Sequence, residues 1–234
     1  ETKVAGQMVA DFCRAAARTD AESTLKLFIP YIHSVIENIT SVEGVQDEEE
    51  VDEELTWCLQ LLSEVVRCNG SDVLPYKQDL VDILKPCVGL KSKRAFHFAA
   101  KVLHHVIPSL ILLYPMEWKS SAHDFSLPPE EHLFIKDWGA SCDVDDVSMK
   151  WHIPSLEEKM FAKELLETFL LPVLGRLTQF TLGNEMTRDE LQHSVDLVHH
   201  ILQGSCGLLP EFQGPFLDRI EVKTLLSRKQ EKNT

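Results

Sequence analysis

Residues 55–66 read LTWCLQLLSEVV, and this stretch decides the fold class of the chain. Leu55, Leu59, Leu62 and Val66 recur at steps of three and four residues, which places them on one face of an α-helix. A helix with a single apolar face is stable only when neighbouring elements bury that face. The stretch therefore predicts one helix of a packed helical array.

Six further stretches carry the same kind of pattern, and each is too long for a β-strand. In the last of them, the predicted buried stripe consists of Leu191, Val195, Val198 and Leu202, with Ser194 and Gln203 lying off it. With the stretch quoted above, helices are predicted over residues 4–18, 21–40, 51–68, 71–90, 92–114, 155–180 and 187–203.

Helix ends are visible as well. Ser155 with Glu158 and Thr187 with Glu190 form the pattern of a capping box, in which a hydroxyl and a carboxylate satisfy free backbone amides. Gly204 is predicted to close the last helix in the left-handed conformation. Short turns between such helices make neighbouring helices antiparallel.

Prolines at Pro30, Pro108 and Pro172 fall inside helical blocks, where each removes a hydrogen bond and bends or splits the helix. Kinked helices joined by short turns are typical of HEAT repeats, and the blocks that begin near residues 2, 51 and 92 are spaced at about the 40–47 residues of such a unit. The sequence therefore predicts an all-α fold, a HEAT/ARM-like α-solenoid segment (an α-α superhelix) with one long irregular insertion.

The helical period fails in one long internal segment and again near the C-terminus. The packing residues that we predict are the structural aromatics Trp57, Trp138 and Trp151 and the stripe residues Leu59, Leu62, Val198 and Leu202. The organisation that follows is HEAT-like repeats over 1–114, an irregular Trp- and Pro-containing excursion packed on the solenoid over 115–154, HEAT-like repeats over 155–210, and a charged tail over 211–234 that is disordered or helical only in a longer chain.

Composition excludes several functions. The net charge of −14 argues against general nucleic-acid binding, which requires positive surface. No uninterrupted apolar run approaches the roughly 18 residues of a membrane span. The six cysteines form no CxxC pair and are expected to be reduced. Because the sequence begins at Glu1 without a leader, we expect a piece of a longer protein.

Two charged groups have alternative interpretations. The run 47–54 holds seven carboxylates in eight positions; it is either a solvated loop beside a helix N-terminus or a docking site for a basic peptide. The basic group of Lys91, Lys93 and Arg94, with Lys101 further along, is either solvated or one lobe of a polyanion site.

Histidines could suggest metal chemistry. His97 and His104 share one predicted helix face, and His193, Asp196 and His200 share another, so a metal-dependent hydrolase is one hypothesis. The other is half-buried histidines that are hydrogen-bonded to the backbone or to Asp196. There is no HExxH, nucleophile elbow, Walker motif or dinucleotide fingerprint. We therefore predict no catalytic, cofactor-binding or metal-binding residue.

Seven short motifs follow one another along the chain: Asp52-Glu53-Glu54-Leu55-x-Trp57, Leu103-His104-His105, Tyr114-Pro115-x-Glu117, Ile135-Lys136-Asp137-Trp138-Gly139, Trp151-His152-Ile153-Pro154, Met186-Thr187-Arg188-Asp189 and Gly207-Leu208-Leu209-Pro210. In this order they resemble the motifs of the family of large HEAT-repeat proteasome activators of the Blm type. The resemblance covers roughly residues 25–210, in the middle HEAT region of a much longer chain, and the stretches 139–150 and beyond 215 depart from it.

This resemblance implies a non-enzymatic activator that caps the 20S proteasome core particle and favours gate opening without ATP or ubiquitin. It implies acetylated histones as cargo, location in the nucleus and cytoplasm, roles in DNA repair and spermatogenesis, and neither direct DNA binding nor membrane association. It implies no cofactor in this segment, but the full-length protein would bind inositol phosphates at basic openings, which gives Lys91, Lys93 and Arg94 a candidate ligand. The alternative function is a free-standing adaptor, resembling a transport receptor, that binds basic peptides through the run 47–54.

Overall fold

A computed structural model of the chain describes residues 2–49, 53–116 and 151–206. Residues 117–150 of the predicted excursion and the whole of the predicted tail lie outside these residues. Two short strands, β1 (Tyr114–Pro115) and β2 (Trp151–His152), pair antiparallel. The helices are α1 (Thr2–Thr19), α2 (Ala21–Thr40), α3 (Glu53–Val65), α4 (Gly70–Val73), α5 (Lys77–Cys87), α6 (Lys93–Ile111), α7 (Leu156–Leu165), α8 (Leu171–Thr181) and α9 (Arg188–Gly204).

The long helices alternate between two layers. In one layer, α1, α3, α6 and α9 lie side by side in that order. In the other, α2 packs against α5, and α7 lies beside the 3₁₀ turn Leu74–Tyr76 that leads into α5. Helices that follow each other in sequence also contact each other between the layers, as α1 contacts α2 and α6 contacts α7. This alternation confirms the predicted HEAT/ARM-like α-solenoid.

A continuous apolar core lies between the layers. Leu55, Leu59, Leu62 and Val66 are all 0% exposed, which confirms the stripe predicted for α3. Helix α6 is buried over most of its circumference because α3 and α9 flank it within its layer. None of the helices in the described ranges combines the length and apolar character needed to cross a membrane.

Both predicted capping boxes are present. Ser155 Oγ accepts from the Glu158 amide at 3.2 Å, and the Ser155 amide donates to Glu158 Oε2 at 2.8 Å. Thr187 and Glu190 repeat this exchange at the start of α9. Because each box satisfies two amides that the helix itself leaves free, these sequence motifs fix where α7 and α9 begin.

The three prolines have different outcomes. Pro30 and Pro108 remain inside α2 and α6, so neither splits its helix. Pro172 lies in the first turn of α8, immediately after a π-helical turn at Leu166–Leu170. Proline has no amide hydrogen, and the first turn of a helix is where that absence costs least. The helix predicted over 155–180 is therefore divided into α7, the π-helical turn and α8.

The predicted stripe of α9 is wrong. The buried residues are Ser194, Leu197, Ile201 and Gly204, whereas Val195 is 48% and Leu202 is 53% exposed. Val198 is partly buried and packs against the core. On this face, the absence of a side chain at Gly204 allows the backbone of α9 to approach α6.

Gly204 shows this close approach directly. It lies inside α9 and does not adopt the left-handed conformation, which among the described residues occurs only at Gly44 and Gly183. A Cβ atom at position 204 would lie 2.7 Å from the carbonyl oxygen of His104 in α6. The predicted left-handed cap is thus wrong, and glycine is needed here because no side chain fits.

The predicted structural aromatics differ in their surroundings. Trp57 is half-buried, and Gly6 of α1 lies directly against its ring. Trp151, which we predicted as a packing aromatic, is 48% exposed, so only about half of its surface is covered. Side chains alternate along a strand, and in β2 the buried residue is His152. Trp138 lies outside the described residues.

Candidate functional site

The predicted basic group lines a groove between the start of α6 and the α8–α9 hairpin. The groove has a volume of about 2160 Å³. Lys91, Lys93 and Arg94 all line it, together with Lys85 of α5 and Arg176 of α8. Six acidic residues line the same groove, namely Glu49, Glu53, Glu185, Asp189, Glu190 and Asp196. The tertiary structure therefore places the cations that are adjacent in sequence beside one that is more than 80 residues away.

The N-terminus of α6 opens into the same groove. Ser92 occupies the N-cap position, but its side chain makes no capping hydrogen bond. The amides of a first helical turn have no partner within the helix, and the helix dipole is positive at this end. Lys93 and Arg94 add two positive charges to that turn. An anion in the groove would be stabilised by the amides, the dipole and both side chains.

Lys91 is already engaged by the acidic run. Its Nζ lies 2.7 Å from Asp47 Oδ1, and this hydrogen bond raises the pKa of Lys91. Its backbone amide also donates to the carbonyl of Gln46 at 3.1 Å. By contrast, Lys93 and Arg94 form no ion pair with another residue of the described ranges. These two are the cations of the group that remain available to a ligand.

The two histidine blocks meet where α6 packs on α9. The ring centroid of His200 lies 5.4 Å from that of His97 and 6.0 Å from that of His104. Burial lowers the pKa of all three rings, that of His200 to about 4, so they are neutral near pH 7. Within the described ranges, no three His, Cys, Asp or Glu side chains are arranged to hold a metal ion.

Other histidines hydrogen-bond to backbone carbonyls. His193 Nε2 lies 2.8 Å from the Val88 carbonyl oxygen, and its ring packs against Phe96. His105 Nδ1 lies 2.6 Å from the Ser63 carbonyl oxygen. These contacts match the structural interpretation of the histidines and connect α9 to the end of α5 and α6 to α3.

A buried charge cluster was missed by the sequence analysis. Glu64 in α3 is 1% exposed; its Oε2 accepts from Arg14 Nη1 at 3.1 Å and from Arg67 Nη1 at 2.9 Å, and its Oε1 accepts from Lys101 Nζ at 2.9 Å. Burial raises the pKa of Glu64, but the hydrogen bonds from Lys101 and Arg67 have the larger opposite effect. The pKa of Glu64 is therefore lowered. The signal that could have revealed the cluster is a carboxylate inside an otherwise apolar helix end.

A second buried cluster closes the base of the predicted excursion. His152 Nδ1 lies 2.8 Å from the Leu112 carbonyl oxygen, and Nε2 lies 2.7 Å from Glu158 Oε1. Tyr114 stacks on the imidazole at a centroid distance of 4.3 Å. Both ring nitrogens face acceptor oxygens, so the imidazole of His152 is held between the Leu112 carbonyl and the Glu158 carboxylate. Burial of Glu158 opposes ionisation, yet the hydrogen bonds from His152 and Ser155 keep its pKa below the usual value.

The arrangement of the helices defines the class of protein to which this chain belongs. Two alternating layers of helices, with charged clusters that join neighbouring helices, are the architecture of a helical-repeat scaffold. A family model described as "Proteasome activator complex subunit 4, mid HEAT repeats region" matches residues 1–209. The chain belongs to this family, which confirms the resemblance found in the sequence.

Individual relatives agree with the family match. The chain is 44% identical over 215 residues to proteasome activator complex subunit 4 from Xenopus laevis and from Homo sapiens, covering 92% of this chain in each case. It is 26% identical to proteasome activator subunit 4 from Arabidopsis thaliana over 89% of this chain. The chain spans 12% of the length of the two animal relatives and 13% of the plant relative.

Proposed function

We propose that this chain is a curved wall segment of a large proteasome activator that caps the 20S core particle and favours gate opening without ATP or ubiquitin. The observation that carries the proposal is a two-layer helical solenoid in a chain that belongs to the proteasome activator subunit 4 family. Stacked helix pairs that share one core form a stiff curved surface, so the role of the segment is mechanical and not enzymatic.

The cargo and location follow from the same proposal. The intact protein acts in the nucleus and cytoplasm and promotes degradation of peptides and acetylated histones by the core particle. The hydrolysis itself belongs to the core particle.

Association with core particles is the first test. The intact protein is purified from cells through an affinity tag, and the co-purifying 20S subunits and the hydrolysis of a fluorogenic peptide are measured without ATP. We expect both association and stimulated hydrolysis. Absence of core particles, together with retention of basic peptides, would instead support the adaptor that binds through the acidic run.

A matched pair of variants tests the mechanical role. Leu103→Asp places a charge where the side chain is 0% exposed, whereas Leu113→Asp changes a side chain that is 62% exposed. We expect stimulation to be lost in the first variant and retained in the second. Equal activity of both variants would show that the integrity of this segment does not matter for activation.

We further propose that the groove at the start of α6 binds an inositol phosphate in the intact protein. The uncapped N-terminus of α6 and the cations Lys93 and Arg94 support this ligand. Replacing Lys91, Lys93 and Arg94 with Ala should weaken the binding of inositol hexakisphosphate, measured by calorimetry. We expect Lys93 and Arg94 to account for most of the loss in affinity, because Lys91 already forms an ion pair with Asp47. Unchanged affinity in the triple variant would reject the site.

A further inference from the structure

Helix α1 exposes an apolar surface at one end of its layer. Val4 is 66%, Met8 is 57% and Phe12 is 74% exposed, and these residues lie at steps of four, which places them on one face of the helix. Among residues 4–19, every exposed residue of α1 is apolar. We call this surface the end face; it consists of Val4, Ala5, Met8, Val9, Phe12, Ala15 and Ala16.

The end face is the reverse of an ordinary helix surface. A helix at the surface of a globular protein buries its apolar stripe and exposes its charged and polar residues. In α1, the polar side chains instead lie along one edge, where Gln7 donates to Asp11 at 3.2 Å and Arg14 pairs with Asp11 and with Glu64 of α3. Apolar residues therefore occupy both the buried side and the exposed side of α1.

The position of α1 indicates which element would cover the end face. In their layer, α3 lies between α1 and α6, and α6 lies between α3 and α9, whereas α1 has α3 on one side and no other helix of the described residues beyond it. Gly6 of α1 lies against the ring of Trp57 of α3. Met8 follows Gly6 by two positions, which places it on the opposite side of a helix with 3.6 residues per turn. The end face thus points to the place that the next helix of the layer would occupy.

We propose that the end face is the docking surface for a further helical repeat of the intact protein, which places an apolar helix beside α1. The terminal repeats of a solenoid need a polar outer face for solubility, and the end face is apolar, so α1 has the surface of an interior repeat. The chain spans 12% of the length of its animal relatives. The inference rests on the proposed function, in which this chain is one segment of a longer wall.

The shape of the end face indicates how the docked helix packs. Its three alanines have short side chains that let a helix backbone come close, whereas Met8 and Phe12 project from it. The contact on the other side of α1 has the same form, because Gly6 makes room there for the ring of Trp57. No charged side chain belongs to the end face, so the docked helix presents apolar residues to it.

Oxidation of Met8 tests whether the end face is covered. The purified intact protein is treated with hydrogen peroxide, and the sulfoxide at Met8 is measured by mass spectrometry in native and in urea-unfolded protein. We expect Met8 to oxidise at least about fivefold more slowly in the native protein, because the docked repeat excludes the reagent. A smaller ratio would overturn the proposal, since Met8 is 57% exposed when the end face is open. Met160 of α7, which is 61% exposed, is the internal reference for an exposed methionine.

A matched pair of variants of the intact protein tests the docked contact itself. Phe12→Asp places a charge on the end face and should speed the oxidation of Met8 at least about threefold, because the repeat is released. Val42→Asp changes a side chain that is 60% exposed beyond the end of α2 and should leave this rate unchanged. Equal rates in the two variants would overturn the proposal. If Phe12→Asp does not fold, the ratio for Met8 in the parent protein decides alone.

The same measurement identifies what covers the end face. Protection of Met8 that is independent of protein concentration, in a protein that light scattering shows to be monomeric, supports a repeat of the same chain. Protection that is lost on dilution of a dimer would overturn the proposal, because a second copy would then cover the face. Loss of 20S association with Met8 still protected would contradict the proposed function and leave this inference standing.

Discussion

Replacing Glu64 with Gln tests how much the buried charge cluster stabilises the solenoid. Glutamine keeps the shape of the side chain but removes the negative charge that Arg14, Arg67 and Lys101 share. The three cations would then face one another without a carboxylate between them. We expect α1, α3 and α6 to be held together less tightly, because the cluster joins all three.

The magnitude follows from burial and from exposure of the partners. A hydrogen bond to a charged group contributes about 1.5–3 kcal/mol, and removing one partner of a buried ion pair costs about 3–5 kcal/mol. Glu64 is 1% exposed, but its partners are 23–35% exposed and regain water when the charge is removed. We therefore expect Glu64→Gln to lower the free energy of unfolding by about 2–4 kcal/mol.

The pH dependence has a definite sign. The pKa of Glu64 is lowered in the folded chain, whereas an unfolded glutamate titrates near about 4.3. A carboxylate of this kind contributes its full stability above the unfolded pKa and loses it as the pH falls through the folded pKa. The difference between the parent chain and Glu64→Gln should thus be largest near about pH 7 and should shrink below about pH 4.

Urea unfolding followed by circular dichroism measures both effects. The matched control is Glu37→Gln on the exposed face of α2, which should change the free energy of unfolding by less than about 0.5 kcal/mol. A loss at neutral pH no larger than that of the control would refute the reasoning. So would a large loss that stays constant at acidic pH, since it would then arise from packing and not from charge.

Three further predictions use matched pairs. Gly204→Ala should lower the free energy of unfolding by about 1–3 kcal/mol, because the new Cβ atom would lie 2.7 Å from the His104 carbonyl oxygen. Gly175→Ala, where a Cβ atom would meet nothing within 4 Å, should raise the free energy of unfolding by up to about 1 kcal/mol. Thermal unfolding distinguishes the two signs. Leu197→Ala, at a side chain that is 1% exposed, should lower the free energy of unfolding by about 2–5 kcal/mol. Val195→Ala, at a side chain that is 48% exposed, should change it by less than about 0.5 kcal/mol. Similar losses in the two variants would contradict the observed orientation of α9. Glu158→Gln should weaken the buried pair with His152 and speed amide hydrogen exchange at the start of α7. Glu157→Gln changes a side chain that is 72% exposed and should leave this exchange unchanged. Equal exchange rates in the two variants would argue against the pair.

The candidate sites were only partly predictable. Lys91, Lys93 and Arg94 are close in sequence, so their clustering was visible without a structure. The sequence did not show that Lys91 differs from Lys93 and Arg94, because its ion pair with Asp47 joins residues that are distant in sequence. Arg14, Glu64 and Lys101 are distant in sequence and became one cluster only when α1, α3 and α6 packed together.

The sequence by itself determined the helical class, most helix positions and the two capping boxes. These features depend on local spacing and on side chains that bond to nearby backbone, so three or four residues suffice to specify them. The ordered motifs also placed the chain in its family, which the family match over residues 1–209 confirms.

Only the tertiary structure decided which face of α9 is buried, why Gly204 is glycine and which way Trp151 points. Two faces of α9 could each be buried, and the choice depended on the backbone of α6 approaching Gly204. In β2, the hydrogen bonds from His152 to Leu112 and Glu158 turned the histidine inward and left Trp151 exposed. The physical reason is common to these cases: local periodicity defines the faces of an element, but the shape and polar groups of the neighbour select the face that is buried.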